Sequence, residues 1–207
     1  MALVKMHITE SAAQDEGKET LEWPVLLAAL EDDNPTIRRR SARELVNCQN
    51  CAAALVDRLK RERDLSVREV IFTTLTRLGD STAVAGLVDC LRSEDPAVRN
   101  EAIDAMKQLP ENMASIMKGL LQDRDPDIRI FAVNVLESLR HPNVESWLIE
   151  VIETDAHVNV CATAVDLLSE VGTQAALNPL ARLKARFADE PYVQFAADLA
   201  LRRIHED

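Results

Sequence analysis

Asp95-Pro96-Ala97-Val98-Arg99 is a short motif that recurs along the chain and decides its fold. The other clear copies are Asn34-Pro35-Thr36-Ile37-Arg38, Asp64-Leu65-Ser66-Val67-Arg68 and Asp125-Pro126-Asp127-Ile128-Arg129. Two weaker copies are Asp155-Ala156-His157-Val158-Asn159 and Glu190-Pro191-Tyr192-Val193-Gln194. The last residues of successive copies are 30, 31, 30, 30 and 35 positions apart. Such a period is typical of a solenoid, in which one supersecondary unit is stacked repeatedly.

Each motif carries the signals of a helix start. An Asn or Asp opens the strong copies, and its side-chain oxygen can accept from free backbone N–H groups at a helix N-terminus. A proline then follows in four copies, at the first helical position, where it costs nothing. We therefore predict second helices at Pro35–Asn47, Ser66–Leu78, Pro96–Leu109, Pro126–Leu139, His157–Val171 and Pro191–Ile204. The first helices of the pairs are predicted at Leu21–Glu31, Cys51–Arg61, Ser81–Arg92, Asn112–Gln122, Val144–Glu153 and Ala175–Ala188.

Apolar residues follow each motif at helical spacing and predict one buried face on each second helix. They are Ala42 and Leu45; Ile71, Phe72 and Leu75; Ala102, Ile103 and Met106; Ala132, Val133 and Leu136; Ala197 and Leu201. In the fifth repeat Ala162 keeps this spacing, whereas Leu167 comes one residue late.

The composition agrees with an all-α chain. Of 207 residues 47% are hydrophobic but only 3% are aromatic, and there are 5 glycines, so the core must consist of aliphatic side chains. We expect a right-handed α-solenoid (an α-α superhelix) of about six helical pairs over residues 21–207. Residues 1–20 are polar, without an apolar stripe, and are predicted to form a flexible acidic leader.

With Asp-Pro, then Val-Arg, then paired Ala and a Leu, the repeats resemble HEAT repeats of the short type found in phycobilin-lyase-like bacterial proteins. The resemblance covers roughly residues 21–206. It implies an armadillo-type superhelix with the second helices on the concave side. It implies no single function, because the same repeat serves many unrelated roles.

The resemblance also implies a structural ladder between repeats, formed by the motif arginine and an acidic residue six positions before it. The implied pairs are Asp32 with Arg38, Glu62 with Arg68, and Asp123 with Arg129. Arg99 has Ser93 at the acidic position, so the resemblance implies no acidic partner at this step of the ladder. The ladder lapses in the last two repeats, where the motif ends in Asn159 and Gln194.

The charge restricts the partners. A formal net charge of −11 argues against nucleic acid, whose binding depends on neutralising phosphates. Residues 36–69 are nevertheless basic, at +4, so the acidic chain contains one local basic region. No signal peptide and no apolar run long enough to span a membrane is visible. Four cysteines do not suggest a disulfide scaffold, and we expect a reduced, cytoplasmic, bacterial protein.

Few residues suggest chemistry. Cys48-Gln49-Asn50-Cys51 is the one CxxC sequence and a weak metal or redox candidate, since no second ligand pair accompanies it. We expect instead a turn with one buried and one exposed thiol. His205-Glu206 is the one His-Glu pair, too little for the di-iron sites of HEAT-like hydroxylases. No nucleophile motif or phosphate-binding glycine loop is present, so we expect no catalytic residue and no cofactor.

Positions one, five and nine after each motif point away from the core. If the second helices line the concave face, as the resemblance implies, these positions form the partner-binding surface. The candidates are Arg39, Arg43, Glu69, Thr73, Arg77, Asn100, Asp104 and Asn134. Arg38-Arg39-Arg40 with Arg43 is the strongest basic cluster. Arg39 and Arg43 should share an exposed face, for which an ordinary solvated face is an equal alternative. In the last repeats Val160, Phe195 and Leu199 take such positions. Exposed, they would mark a protein-binding site, but we expect irregular packing to bury them.

We therefore predict a non-catalytic protein–protein interaction module, an adaptor, scaffold or regulatory subunit, that binds another protein on its concave face. The second hypothesis, based only on the repeat subtype, is a phycobilin-lyase-like enzyme or tetrapyrrole-handling protein. Nucleic-acid binding is the third hypothesis, and the acidic net charge argues against it.

Overall fold

The computed structural model describes residues 22–206 and places twelve α-helices in them. The predicted leader, residues 1–20, lies outside this range. The helices are α1 (Trp23–Ala29), α2 (Pro35–Glu44), α3 (Ala52–Leu59), α4 (Leu65–Leu78), α5 (Ser81–Cys90), α6 (Pro96–Lys107), α7 (Pro110–Leu121), α8 (Pro126–Leu136), α9 (Val144–Thr154), α10 (Val158–Val171), α11 (Leu177–Arg186) and α12 (Pro191–Glu206). Short 3-10 turns at Leu45–Asn47 and Gln174–Ala176 extend α2 and precede α11. Residues 22–206 contain no β-strand.

The twelve helices form six consecutive pairs, and the pairs stack into an α-solenoid. Each odd-numbered helix packs against the even-numbered helix that follows it. The even-numbered helices also pack against one another at every step, from α2–α4 to α10–α12. Close contact between odd-numbered helices occurs at α3–α5 and α9–α11. Because the inner layer of a curved stack is the tighter one, this packing supports an inner, concave row of even-numbered helices. The predicted fold class is confirmed.

The recurring motif starts the second helices as predicted. Asn34, Asp64, Asp95 and Asp125 are all N-caps with extended backbones, and each accepts a hydrogen bond from the backbone N–H two positions later at 2.9 Å. Proline occupies the first turn of α2, α6 and α8. His157, at the N-cap of α10, makes no side-chain cap bond. The strong copies of the motif therefore satisfy helix N-termini that would otherwise leave donors unpaired.

The core runs unbroken along the stack and is aliphatic. Every residue predicted for the buried face of a second helix is buried, apart from Leu201, which is half-buried. In the fifth repeat Ala162 and Leu167 are both buried, so the one-residue slip still places its side chains in the core. α10 accommodates the slip by burying apolar residues on a broad face that contacts α8, α9 and α12.

Candidate protein-binding surface

The eight predicted contact residues all lie on second helices and reach solvent. Six of them are exposed, and Arg39 and Asn134 are half-buried. Arg39 and Arg43 lie on α2 one helical turn apart, and the corresponding positions of α4, α6 and α8 continue the row. We call these eight residues the concave row: Arg39, Arg43, Glu69, Thr73, Arg77, Asn100, Asp104 and Asn134.

The arginines of the concave row differ from most arginines near them. Within residues 22–206 no carboxylate lies within ion-pair distance of Arg39, Arg43 or Arg77. By contrast Arg38 is bound to Glu62, and Arg61 to Glu31. These three guanidinium groups are therefore not engaged by a carboxylate of the described residues and are available to a partner.

A groove of about 790 Å³ between α4 and α6 brings part of the concave row together. Buried Phe72 and Ala105 form its apolar floor. Its rim is polar and of mixed charge, and is formed by Glu69, Thr73, Arg77, Asp104 and Gln108. An apolar floor with a few convergent polar groups is the usual composition of a binding groove.

Arg68 and Glu101 close one side of this groove. Arg68 is 5% exposed, and its Nη1 donates to Asp95 at 2.9 Å while Nη2 lies 3.4 Å from Glu101. The buried Nε of Arg68 and Oε2 of Glu101 have no hydrogen-bond partner among residues 22–206. A buried donor and a buried acceptor beside the groove are therefore left without a partner in the described part of the chain.

Asn134 belongs to a different groove, between α8 and α10. This groove has a volume of about 250 Å³ and is lined by Val133, Asn134, Glu137, Thr163, Asp166, Leu167 and Glu170. Its three carboxylates make it acidic, although Lys107 pairs with Glu137 at 2.9 Å. The structure thus divides the concave row into a cationic start on α2, a mixed groove at α4–α6 and an acidic groove at α8–α10.

The motif arginines form a ladder between repeats, but with partners other than the expected ones. Arg38 binds the carboxylate of Glu62 with Nε and Nη2, both at 2.8 Å, and Arg129 binds Asp155 in the same two-point manner. The expected pairing of Glu62 with Arg68 was wrong, because Arg68 reaches forward to Asp95. Each of these arginines thus binds a carboxylate of the following repeat.

The acidic residue six positions before the arginine does not bind that same arginine with its side chain. Asp32, Glu62 and Asp123 each accept from the backbone N–H two residues later, at 2.7 to 2.9 Å. The expected side-chain pairs Asp32–Arg38 and Asp123–Arg129 were therefore wrong. These arginines instead donate Nη1 to the backbone carbonyls of the two aspartates, at 2.8 Å. Those carbonyls follow the end of a first helix, where acceptors are left free.

The third repeat keeps this arrangement without an acidic residue. Ser93 Oγ accepts from Asp95 N at 3.2 Å, and Arg99 Nη1 donates to the Ser93 carbonyl at 2.7 Å. The guanidinium of Arg99 then lies over the Phe131 ring of the next repeat, 5.8 Å from its centroid. A cation–π contact thus replaces the carboxylate at this step. In the sixth repeat Gln194 Nε2 takes the carbonyl-binding role, donating to Lys184 and Phe187.

Glu62 is the most strongly perturbed group of the ladder. Burial by itself would raise the pKa of this carboxyl, but hydrogen bonds from Arg38, Asp64 N and Arg58 outweigh it and lower the pKa to about 2. For Asp155, too, burial acts to raise the pKa, and Arg129 and the backbone N–H of His157 lower it. Both carboxylates are therefore charged at neutral pH, and their role is structural.

Cys48 and Cys51 differ from the expectation of one buried and one exposed thiol. Both side chains are buried, and their sulfurs are joined in a disulfide across a turn in which Asn50 has a φ of 66°. The turn directs both Cβ atoms inward, with the Cα atoms 5.6 Å apart. Within residues 22–206 no three His, Cys, Asp or Glu side chains form a metal-binding cluster. Cys90 and Cys161 are separate buried thiols, and burial raises the pKa of each to about 11.

The apolar residues of the last repeats divide in two. Val160 is fully buried, as expected. Phe195 and Leu199, expected to be buried, are 62% and 47% exposed, because α12 keeps the regular register and places both on its solvent side. Sequence reasoning missed Tyr192, which is 57% exposed and whose hydroxyl donates to Asp166 of α10 at 2.8 Å. It lies three positions before Phe195, and that spacing was the available signal.

Sequence reasoning also missed Glu101 and Glu137, which line the two grooves. They lie two and eight positions after the motif, on the flank of the helix, so only the packing of neighbouring second helices brings them to a groove. No helix within residues 22–206 is long and apolar enough to cross a membrane.

Repeated helical pairs, an aliphatic core and a polar concave row define an α-solenoid repeat protein. A family model described as HEAT repeats matches residues 52–116 and 113–202. The chain belongs to the HEAT-repeat family.

The protein is also similar to individual relatives. A segment of 75 residues is 37% identical to the bilin biosynthesis protein PecE of Mastigocladus laminosus, which agrees with the resemblance to short phycobilin-lyase-like repeats. The segment is 35% of this chain and 28% of PecE, so the match spans little more than a quarter of that relative.

One solved structure shares the fold at low identity, and a second aligns more loosely. The archaeal HEAT-like repeats protein from Thermococcus onnurineus NA1 aligns with a TM-score of 0.50 and 16% identity, covering 89% of this chain and 87% of that one. The complex of CpcE and CpcF of phycocyanin lyase from Nostoc sp. PCC7120 aligns with a TM-score of 0.39 and 16% identity, covering 96% and 100%.

Proposed function

We propose that this HEAT-repeat protein is a non-catalytic interaction module that binds another protein on its concave row. The observation that carries the proposal is that Arg39, Arg43 and Arg77 form no ion pair within residues 22–206 and lie on α2 and α4, beside or within the mixed-charge groove at α4–α6. In this proposal Arg39 and Arg43 receive an acidic part of the partner, and the groove receives a side chain of the partner. The bacterial, cytoplasmic setting remains the expectation drawn from the sequence.

The charge distribution favours a selective rather than a general binder. Complementary charges across an interface steer association and reject wrong partners. The net charge of −11 repels acidic proteins in general, whereas the basic start of the concave row attracts an acidic group locally. A partner is therefore selected by the position of its charges, not by its net charge alone.

Charge reversal on α2 tests this proposal. The tagged chain is used to isolate a stoichiometric protein partner from the native host, and the pair is then measured by calorimetry. We expect Arg39→Glu with Arg43→Glu to weaken binding by at least tenfold, since two favourable charge contacts become repulsive. The melting temperature should stay unchanged, because neither side chain forms an ion pair within the described residues.

The matched control reverses two exposed arginines, Arg124 and Arg140, which lie outside the helices and are not part of the concave row. Arg124→Glu with Arg140→Glu makes the same change in net charge and should leave binding nearly intact. Equal weakening by both double variants would show a general charge effect and refute the α2 assignment. Unchanged binding in the Arg39–Arg43 variant would refute it as well.

A tetrapyrrole-handling role is the second candidate, favoured by the local similarity to the bilin biosynthesis protein PecE. The α4–α6 groove has the volume of a typical small-molecule site, and the exposed Arg77 on its rim provides a cation for an acidic group of a ligand. Incubation with a bilin followed by gel filtration tests this candidate. A visible absorbance band that travels with the protein would support it, and a colourless protein peak would reject it.

A further inference from the structure

α12 carries an exposed apolar stripe consisting of Tyr192, Phe195 and Leu199. The three residues are spaced by three and four positions, so they lie on one helix face. Among the described residues, they make up three of the eight large hydrophobic side chains that are exposed, gathered within two turns of one helix. Tyr192 is held by its hydrogen bond to Asp166, so part of the stripe is already ordered. Clustered, ordered apolar groups of this kind are typical of a protein interface.

Opposite charges flank the stripe at its two ends. Asp189 and Glu190 are exposed just before α12, and Arg202 and Arg203 are exposed near its end. No ion pair involves any of these four side chains within residues 22–206. The order along α12 is therefore acidic, apolar and basic. An antiparallel second copy of α12 presents the order basic, apolar and acidic beside it.

This order is complementary to itself. If two copies of α12 lie antiparallel, with a two-fold axis midway between Phe195 and Leu199, each Phe195 meets the Leu199 of the other copy. Tyr192 then lies opposite Arg202, and the acidic pair lies next to Arg203 of the other copy. A two-fold interface requires that a surface fit itself in this way. Apolar residues at its centre and charges at its rim match the usual anatomy of an interface.

We propose that the chain self-associates through α12 into a two-fold dimer. The occupant of the apolar stripe is thus the same stripe of a second copy, with Asp189 and Glu190 facing the basic end of the other α12, which carries Arg202 and Arg203. The proposal goes beyond binding of a partner at α2–α6 and does not depend on it, since the two surfaces lie in different repeats. Dimerisation would join two concave rows and give two binding surfaces to one particle.

Sedimentation equilibrium of the full chain from low to high micromolar concentration tests the proposal. We expect the average mass to rise from 23.1 kDa towards twice that value. Phe195→Gln with Leu199→Gln should remain at the single-chain mass throughout, with circular dichroism and melting temperature unchanged. The control is Leu65→Gln, an exposed leucine on α4, which should dimerise like the unaltered chain.

Charge exchange tests the antiparallel geometry even if the apolar variant folds poorly. Reversing Asp189 and Glu190 to Lys should shift the dimer dissociation constant upward by at least tenfold, and so should reversing Arg202 and Arg203 to Glu. A chain with all four reversals should dimerise again, because each acidic end would still meet a basic end of its partner.

Three results would overturn the proposal. The first is an unaltered chain that keeps the single-chain mass at every concentration, which would leave the stripe to a different protein. The second is a Phe195–Leu199 variant that dimerises normally. The third is either a pair of reversals that leaves dimerisation intact or a folded four-reversal chain that stays monomeric.

Discussion

Glu62 shows how one buried residue joins two repeats. Its side chain is 1% exposed and accepts from Arg38 of the first repeat, from Arg58 one turn before it, and from two backbone N–H groups. A buried charge is tolerated only when its partners are complete. Here every acceptor site of the carboxylate is in use, so loss of the charge leaves two arginines poorly compensated at once.

We predict that Glu62→Gln lowers the free energy of unfolding by about 3 kcal/mol at neutral pH, the usual cost of breaking a buried ion pair. For a chain of this length the melting temperature should fall by roughly 6 to 12 °C. Urea unfolding followed by circular dichroism measures the change.

Glu31→Gln is the matched control, because Glu31 also pairs with Arg58 but is 49% exposed. An exposed ion pair contributes at most about 1 kcal/mol. If the two variants lost equal stability, burial would not be the reason for the importance of Glu62.

At the scale of elements, close helix packing depends on a glycine. Gly86 lies in α5 against α3, and a Cβ atom at this position would overlap the side chain of Val56. α3 and α5 are one of the two pairs of first helices in close contact. The approach of these helices therefore requires a residue without a side chain. Gly119, in α7, has no heavy atom within 4 Å of an added Cβ.

We predict opposite effects for the same substitution in α5 and α7. Gly119→Ala should stabilise the protein by up to about 1 kcal/mol, through helix propensity alone. Gly86→Ala gains the same propensity but must displace Val56 or separate α3 from α5, at a cost of about 1 to 3 kcal/mol. Paired urea titrations measure both changes. A stabilised Gly86→Ala variant would mean that α3 and α5 can separate freely.

At the scale of the whole molecule, an arginine–carboxylate pair crosses each of the first four boundaries between repeats. The pairs are Arg38–Glu62, Arg68–Asp95, Arg92–Asp123 and Arg129–Asp155. The pKa of each of these four carboxyls is lowered by its hydrogen bonds. Since each repeat contacts only its neighbours, these boundaries set the cohesion of the stack.

Stability should therefore fall in acid. A carboxyl whose folded pKa lies below its unfolded value stabilises the fold fully above the unfolded value. For Glu62 this contribution is complete above about pH 4.5 and is lost as the pH falls towards its folded pKa of about 2. The shift corresponds to about 3 kcal/mol from Glu62 alone.

Urea unfolding at pH 7, 5, 3 and 2 tests this dependence, with little change expected above pH 5 and a steep loss below pH 4. Glu62→Gln should show a shallower loss than the unaltered chain. A free energy of unfolding that stays constant down to pH 2 would contradict the lowered pKa values.

The periodic motif was sufficient to predict the helices, their pairing and the core. Local signals carry this information: Asp125 caps α8, Pro126 follows it, and Ala132 and Leu136 face inward as helical spacing requires. The start of α7 was placed two residues late, because Leu109 precedes Pro110 with no capping side chain to mark the boundary. The concave row was also predicted to be solvent-accessible, since exposure follows the same period.

The contacts between repeats were not predictable in this way. The period places Arg38 and Glu62 at fixed positions within their own repeats, but which carboxylate an arginine reaches depends on the offset between stacked helices. The same applies to the disulfide of Cys48 and Cys51, which depends on the backbone of one turn.

The sequence by itself thus determined the solenoid, because helix starts and apolar faces are encoded within each repeat of about 30 residues. Only the tertiary structure decided the partners of the ladder, the division of the concave row into grooves and the exposure of Phe195 and Leu199. Local sequence fixes how each helix is formed and which face it buries. Distances between side chains of different repeats are fixed only when the helices are stacked.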